Sequence, residues 1–163
     1  MTEVLVVIAI IAALVGVGYP VTRLFLDRSR QTACINNLRS LGVALQASSD
    51  DAGGKLPELM SGKSSKNENA NVLENFLLPY LESEDVFRCP ADRKEFTKTG
   101  SSYLWNSTQN GRYLSQLSFF GIKGNREKIP LISDKESWHP NDGTNFLYAD
   151  LSASNKPKFA VGN

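Results

Sequence analysis

The sequence predicts an α+β protein in which one long amino-terminal helix packs on a small antiparallel β-sheet head. Three observations carry that expectation. An uncharged apolar run opens the chain, an apolar stripe at helical spacing follows it, and short apolar runs separated by Gly, Asn and Pro fill the remainder. A length of 163 residues suits one domain plus an extended element.

The opening run comes first. From Val4 to Thr22, nineteen residues pass without a charge, and of the seventeen up to Pro20 only Gly16, Gly18 and Pro20 fall outside the hydrophobic set. A helix of that length spans roughly 28 Å, close to the ~30 Å hydrocarbon core of a bilayer. A core helix of a soluble domain would carry a polar stripe, and this segment has none. A cleaved export signal would need basic residues ahead of the run, where only Met1, Thr2 and Glu3 stand. Residues 1–26 are therefore expected to form the transmembrane half of the helix, and residues 27–163 the head together with the helix's amphipathic half. Arg23, Arg28 and Arg30 follow the run and would hold that side in the cytoplasm by the positive-inside rule. A basic segment upstream would resolve the conflict.

After Pro20 the pattern becomes one-sided. Ile35, Leu38, Leu41, Leu45 and Ser48 recur at intervals of three and four, with Asn36, Asn37, Arg39 and Gln46 between them. Asp50-Asp51-Ala52-Gly53-Gly54 ends the helix, glycine being suited to a left-handed cap. A single helix from Thr2 to Asp51, bent at Pro20, is predicted. Residues 60–71 read as an exposed polar loop, and residues 72–81 as a short helix stopped near Pro79. Residues 102–105, 113–122, 129–132 and 146–149 have strand length.

Composition removes several functions. A formal charge of +1 leaves no basic excess for binding nucleic acid through bulk electrostatics. One His and two distant Cys cannot close a tetrahedral zinc site without help from a carboxylate. There is no nucleophile elbow, phosphate-cradling glycine loop or paired-carboxylate motif, so no enzymatic activity and no catalytic residue is expected.

The run Glu3-Val-Leu-Val-Val-Ile-Ala-Ile-Ile-Ala-Ala-Leu, with Pro20 seventeen positions after Glu3, resembles the start of type IV pilins and type II secretion pseudopilins. The stretch opening Cys34-Ile-Asn-Asn-Leu-Arg, then Phe87-Arg-Cys-Pro-Ala-Asp92 and Ser102-Tyr-Leu-Trp-Asn106, looks like bacterial pilin-like proteins with a prepilin-type amino terminus. That group carries a signature of His, nine residues, then Asp-Gly. Here His139 and Asn145-Phe-Leu-Tyr-Ala-Asp150 fit its phrase, with ten residues between His139 and Asp150 and Leu151 in place of the Gly. The family's basic leader, ending in Gly ahead of Phe-Thr-Leu-Ile, has only Met1-Thr2 in its place. A start called too late or a fragment would account for this.

The resemblance implies a structural subunit of a pilus or secretion pseudopilus, anchored in the inner membrane by a single pass, with its head in the periplasm or outside the cell. Glu3 and Pro20 would be the assembly residues. The implied partners are like or related subunits met through the helix, the membrane, and a prepilin peptidase if a leader lies upstream. A membrane-tethered binding module that does not polymerise is the alternative. In an extracytoplasmic head, Cys34 and Cys89 would form a disulfide closing a loop of about 55 residues, or else pack as two buried thiols. Asp134, Asp142 and Asp150 could hold calcium, the one cofactor considered, as sites in the resembling pseudopilins do. The competing reading makes Asp142-Gly143 a hairpin turn, with His139 capping it or packed beside Trp138.

Overall fold

The computed structural model describes residues 2–159, leaving aside the side chains of Thr2, Val17, Gly18 and Pro20. One helix, α1, runs from Thr2 to Asp51, about 75 Å at ~1.5 Å per residue. Its amino-terminal part is long and apolar enough to cross a membrane. From Glu3 to Arg30 every described side chain on it is exposed. Pro20 lies on this helix, and its side chain is outside the described residues.

Beyond Arg30 the helix acquires a buried stripe. Cys34, Leu38, Leu41, Ala44, Leu45 and Ser48 are buried, at the spacing that puts them on one face. The stripe begins one residue earlier than Ile35, which is half-buried while Cys34 takes the inward position. Gly53 and Gly54 close the helix with φ of 67° and 89°, and Gly54 N–H donates to the Ser49 carbonyl at 2.8 Å. This is the left-handed ending that glycine permits at little cost.

The head follows in short elements. Helix α2, Leu73–Leu77, runs into a 3-10 turn over Leu78–Tyr80 that contains Pro79. A second 3-10 turn, Glu84–Phe87, leads to Cys89, and helix α3 spans Glu95–Thr99. The strands are β1 Tyr103–Trp105, β2 Ser118–Phe119, β3 Ile122–Lys123, β4 Pro130–Asp134, β5 Phe146–Tyr148 and β6 Ala153–Ser154. An antiparallel sheet of order β1-β4-β5-β6 forms the main layer, and β2-β3 is a separate hairpin.

Two expectations are corrected. Residues 113–122 do not make one strand: Tyr113 forms an isolated bridge to Lys55, and only 118–119 and 122–123 pair. Phe120 and Gly121 break the run because both turn at positive φ, 44° and 83°, a conformation that ends a strand in a tight hairpin. The loop of residues 60–71 is not wholly exposed either. Lys63 folds inward, with its Nζ 3.6 Å from Glu74 Oε1 and both side chains under a tenth exposed.

The core lies between α1 and the sheet. Leu38, Leu41 and Leu45 meet Leu131, Leu147, Trp105 and Phe87 in one buried cluster. Gly42 marks a close approach, since a Cβ there would stand 3.0 Å from Leu147 Cδ1. A glycine inside a helix is costly, and here it is what lets β5 approach.

Candidate functional site

The carboxy-terminal half of α1 meets the head where Cys34 reaches Cys89. The two form a disulfide, Cα–Cα 4.9 Å, across a separation of 55 residues, and both are fully buried. Neighbouring polar bonds hold the Cys89 segment in place. Asn37 Nδ2 donates to the Arg88 carbonyl at 2.8 Å, and the Cys89 N–H donates to Ser102 Oγ at 2.9 Å. Ser102 in turn donates to Asp92 Oδ2 at 2.6 Å.

Asp92 anchors this corner. Its carboxylate also accepts the backbone N–H groups of Lys94, Glu95 and Phe96 at 2.8, 2.8 and 2.7 Å, which caps the start of α3. Burial works to raise its pKa, but the Ser102 hydroxyl and the three N–H groups outweigh it and hold the carboxyl below its ordinary range. Sequence reasoning did not single out Asp92. The available signal was the Asp92-Arg93-Lys94-Glu95 spacing, that of a helix-start box.

His139 enters the same region from the loop between β4 and β5. His139 and Gly143 exchange backbone hydrogen bonds at 3.3 and 3.2 Å, and Asn141 and Asp142 turn the chain at φ of 60° and 52°. The turn thus centres one residue before the expected Asp142-Gly143. It carries the imidazole inward, and His139 lines one cleft together with Trp138. His139 Nε2 lies 3.6 Å from Cys89 Sγ and 3.2 Å from Asp134 Oδ2. Asp134, at the end of β4, also accepts the Asn145 N–H at 2.7 Å. Burial pushes the Asp134 carboxyl pKa up, with the imidazole and the Asn145 N–H acting against that. Tyr103 closes the far side, and its hydroxyl pKa is likewise pushed up, by burial first and the Asp134 charge second.

Beside this cluster lies a cleft of about 450 Å³, bordered by Asp27 and Arg30 of α1, by Arg93 and Lys94, and by Glu136, Trp138 and His139. Acids and bases alternate around it, paired as Arg30–Asp27 and Lys94–Glu136, both at 3.3 Å.

The residues named from sequence divide into two groups. Cys34, Cys89, His139 and Asp134 are brought together in the core. The others lie apart: Glu3 is exposed on α1, and Asp142 is exposed in its turn. Asp150 is exposed and accepts from the Ser152 N–H and hydroxyl at 3.0 and 2.7 Å. Among the described residues, the metal-ligating side chains gathered within reach of one another are Cys34, Cys89 and His139, and the three Asp named for calcium do not converge. His139 pairs with Asp134 and not with Asp150. Leu151, where the resembling proteins have Gly, turns at φ 64°, the region in which glycine is at ease. The closed disulfide fastens α1 to the head. No family model, curated protein or solved structure matches the chain.

Proposed function

We propose that the protein is a membrane-anchored, pilin-like structural subunit that assembles with like subunits through the exposed half of α1, its head lying outside the cytoplasmic membrane. The observation that carries this reading is the division of α1. Described side chains from Glu3 to Arg30 are exposed and predominantly apolar, whereas the stripe from Cys34 to Ser48 is buried under the head. An apolar helix face exposed over that length needs lipid or other helices around it. The Cys34–Cys89 disulfide supports an oxidising surrounding for the head.

Glu3 supplies the test. A carboxylate at the edge of an apolar helix costs a few kcal/mol to bury, so subunits drawn together need a cation opposite it. The resemblance points to the amino-terminal ammonium of a neighbouring subunit. Glu3→Ala in the natural precursor is expected to insert in the membrane as wild type does, because the apolar run is untouched. Its share in sheared surface polymer, followed by immunoblot, is expected to fall sharply. Incorporation equal to wild type would refute the role. Membrane insertion of the wild type without any polymer would leave the tethered binding module, for which the cleft beside Arg30 and Arg93 would be the place to look.

A further inference from the structure

We propose that Cys34, Cys89, His139 and Asp134 form a binding site for a thiolate-preferring divalent cation of the zinc type, available only when the disulfide is reduced. Composition leaves a zinc site one ligand short, with one His and two Cys. The fold supplies the fourth. The ligand atoms of Cys34, Cys89 and His139 lie within 4.8 Å of one another, and Asp134 Oδ2 stands 3.2 Å from His139 Nε2.

Tetrahedral zinc has bonds of about 2.3 Å to sulfur and about 2.0 Å to nitrogen and oxygen, which sets sulfur and nitrogen roughly 3.5 Å apart and nitrogen and oxygen roughly 3.3 Å apart. The separations here are 3.6 Å for Cys89 Sγ to His139 Nε2 and 3.2 Å for His139 Nε2 to Asp134 Oδ2. Two edges of the tetrahedron are therefore in place. The sulfurs must part, which breaking their bond allows, and the Asp134 carboxylate, which is outside the group of atoms within 4.8 Å of one another, must draw closer to them. A second observation concerns Asp134 Oδ1, which lacks a hydrogen-bond partner among the described residues. Asp134 is more than nine-tenths buried, where an unsatisfied polar atom is costly. A cation beside the carboxylate would offset its buried charge, and His139 borders the cleft through which an ion could enter.

The chemistry balances in two steps. A dithiol reductant breaks the Cys34–Cys89 bond, gives it two electrons and two protons, and leaves as its own disulfide. The cation then displaces both thiol protons to solvent and binds two thiolates, a neutral imidazole and a carboxylate. Metal and disulfide exclude each other, so the cluster reports the redox condition around the head. This site does not depend on the assembly role.

The test uses the full chain in detergent micelles, reduced with dithiothreitol and desalted without oxygen. Cobalt(II) is expected to bind at one equivalent, with the visible bands of tetrahedral cobalt and a thiolate charge-transfer band. Zinc should displace it, and the oxidised chain should give no bands. His139→Ala and Asp134→Asn should each weaken cobalt affinity about tenfold or more. If the reduced chain loses its near-ultraviolet circular dichroism, one equivalent of zinc is expected to restore it. Absence of binding, an octahedral spectrum, a fold that zinc does not restore, or unchanged affinity in either variant would overturn the site.

Discussion

Asp92 receives four hydrogen bonds, from three backbone N–H groups and Ser102, and through Ser102 it ties α3 to the segment that carries Cys89. Asp92→Ala removes a cap and leaves buried donors unmet, so a loss of about 2–4 kcal/mol is expected in urea melts at pH 7. The pH dependence follows from the lowered carboxyl pKa. A group depressed in the folded state stabilises above its unfolded value, near 4, and that contribution disappears as pH falls through the folded value. The gap between wild type and Asp92→Ala should therefore narrow below about pH 4. A gap that stays constant from pH 7 to pH 3 would show that Asp92 acts by packing alone. Asp134 works in the opposite sense. Its carboxyl pKa is raised by burial, so its ionised form opposes folding at neutral pH and this opposition fades as pH falls.

The contact of α1 with the sheet depends on a missing side chain. At Gly42 a Cβ would meet Leu147 Cδ1 at 3.0 Å and Cδ2 at 3.3 Å. A valine places two more carbons in that space and should push α1 from β5, at a cost of about 1–3 kcal/mol. Thermal melts of Gly42→Val and of Val43→Ala make the comparison, because Val43 on the same helix is 66% exposed. The exposed change is expected within about 0.5 kcal/mol of wild type. Equal losses at both positions would mean that the close approach at Gly42 is not what limits it.

Across the whole molecule, one covalent cross-link supplements the backbone in joining the long helix to a head built of very short elements. The Cys34–Cys89 link spans 55 residues, and the chain-entropy treatment assigns such a loop about 4 kcal/mol. Replacing both cysteines with serine should lower the denaturation midpoint accordingly, and mass spectrometry of the unreduced wild type should give a chain two protons lighter than the reduced one. A wild-type chain whose two thiols alkylate freely without reductant would contradict the bond. The loss belongs to the molecule as a whole, since α1 contributes Leu38, Leu41 and Leu45 to the same core that Phe87, Leu131 and Leu147 fill from the head.

What the sequence determined by itself is what repeats locally. The apolar run, the stripe at Leu38, Leu41 and Leu45 and the glycines after Asp51 settled the length of α1 and its change of character, because a 3.6-residue period is written in consecutive residues. Strands at 103–105, 130–134 and 146–148 were legible for a similar reason. At the hairpin Gly121 read as a turn, but Phe120 did not, since an aromatic at positive φ carries no turn signal. The site was legible only in parts. Cys34, Cys89, Asp134 and His139 could each be named, and His139 was grouped with Asp134, Asp142 and Asp150 or set beside Trp138, but not with the two cysteines. Which side chains meet depends on the sum of every intervening turn: the pairing of β4 with β5, the turn at Asn141-Asp142, and the seating of α1 permitted by Gly42. Tertiary packing alone brings a carboxylate, an imidazole and two sulfurs into one buried place, because no periodicity connects residues 34, 89, 134 and 139.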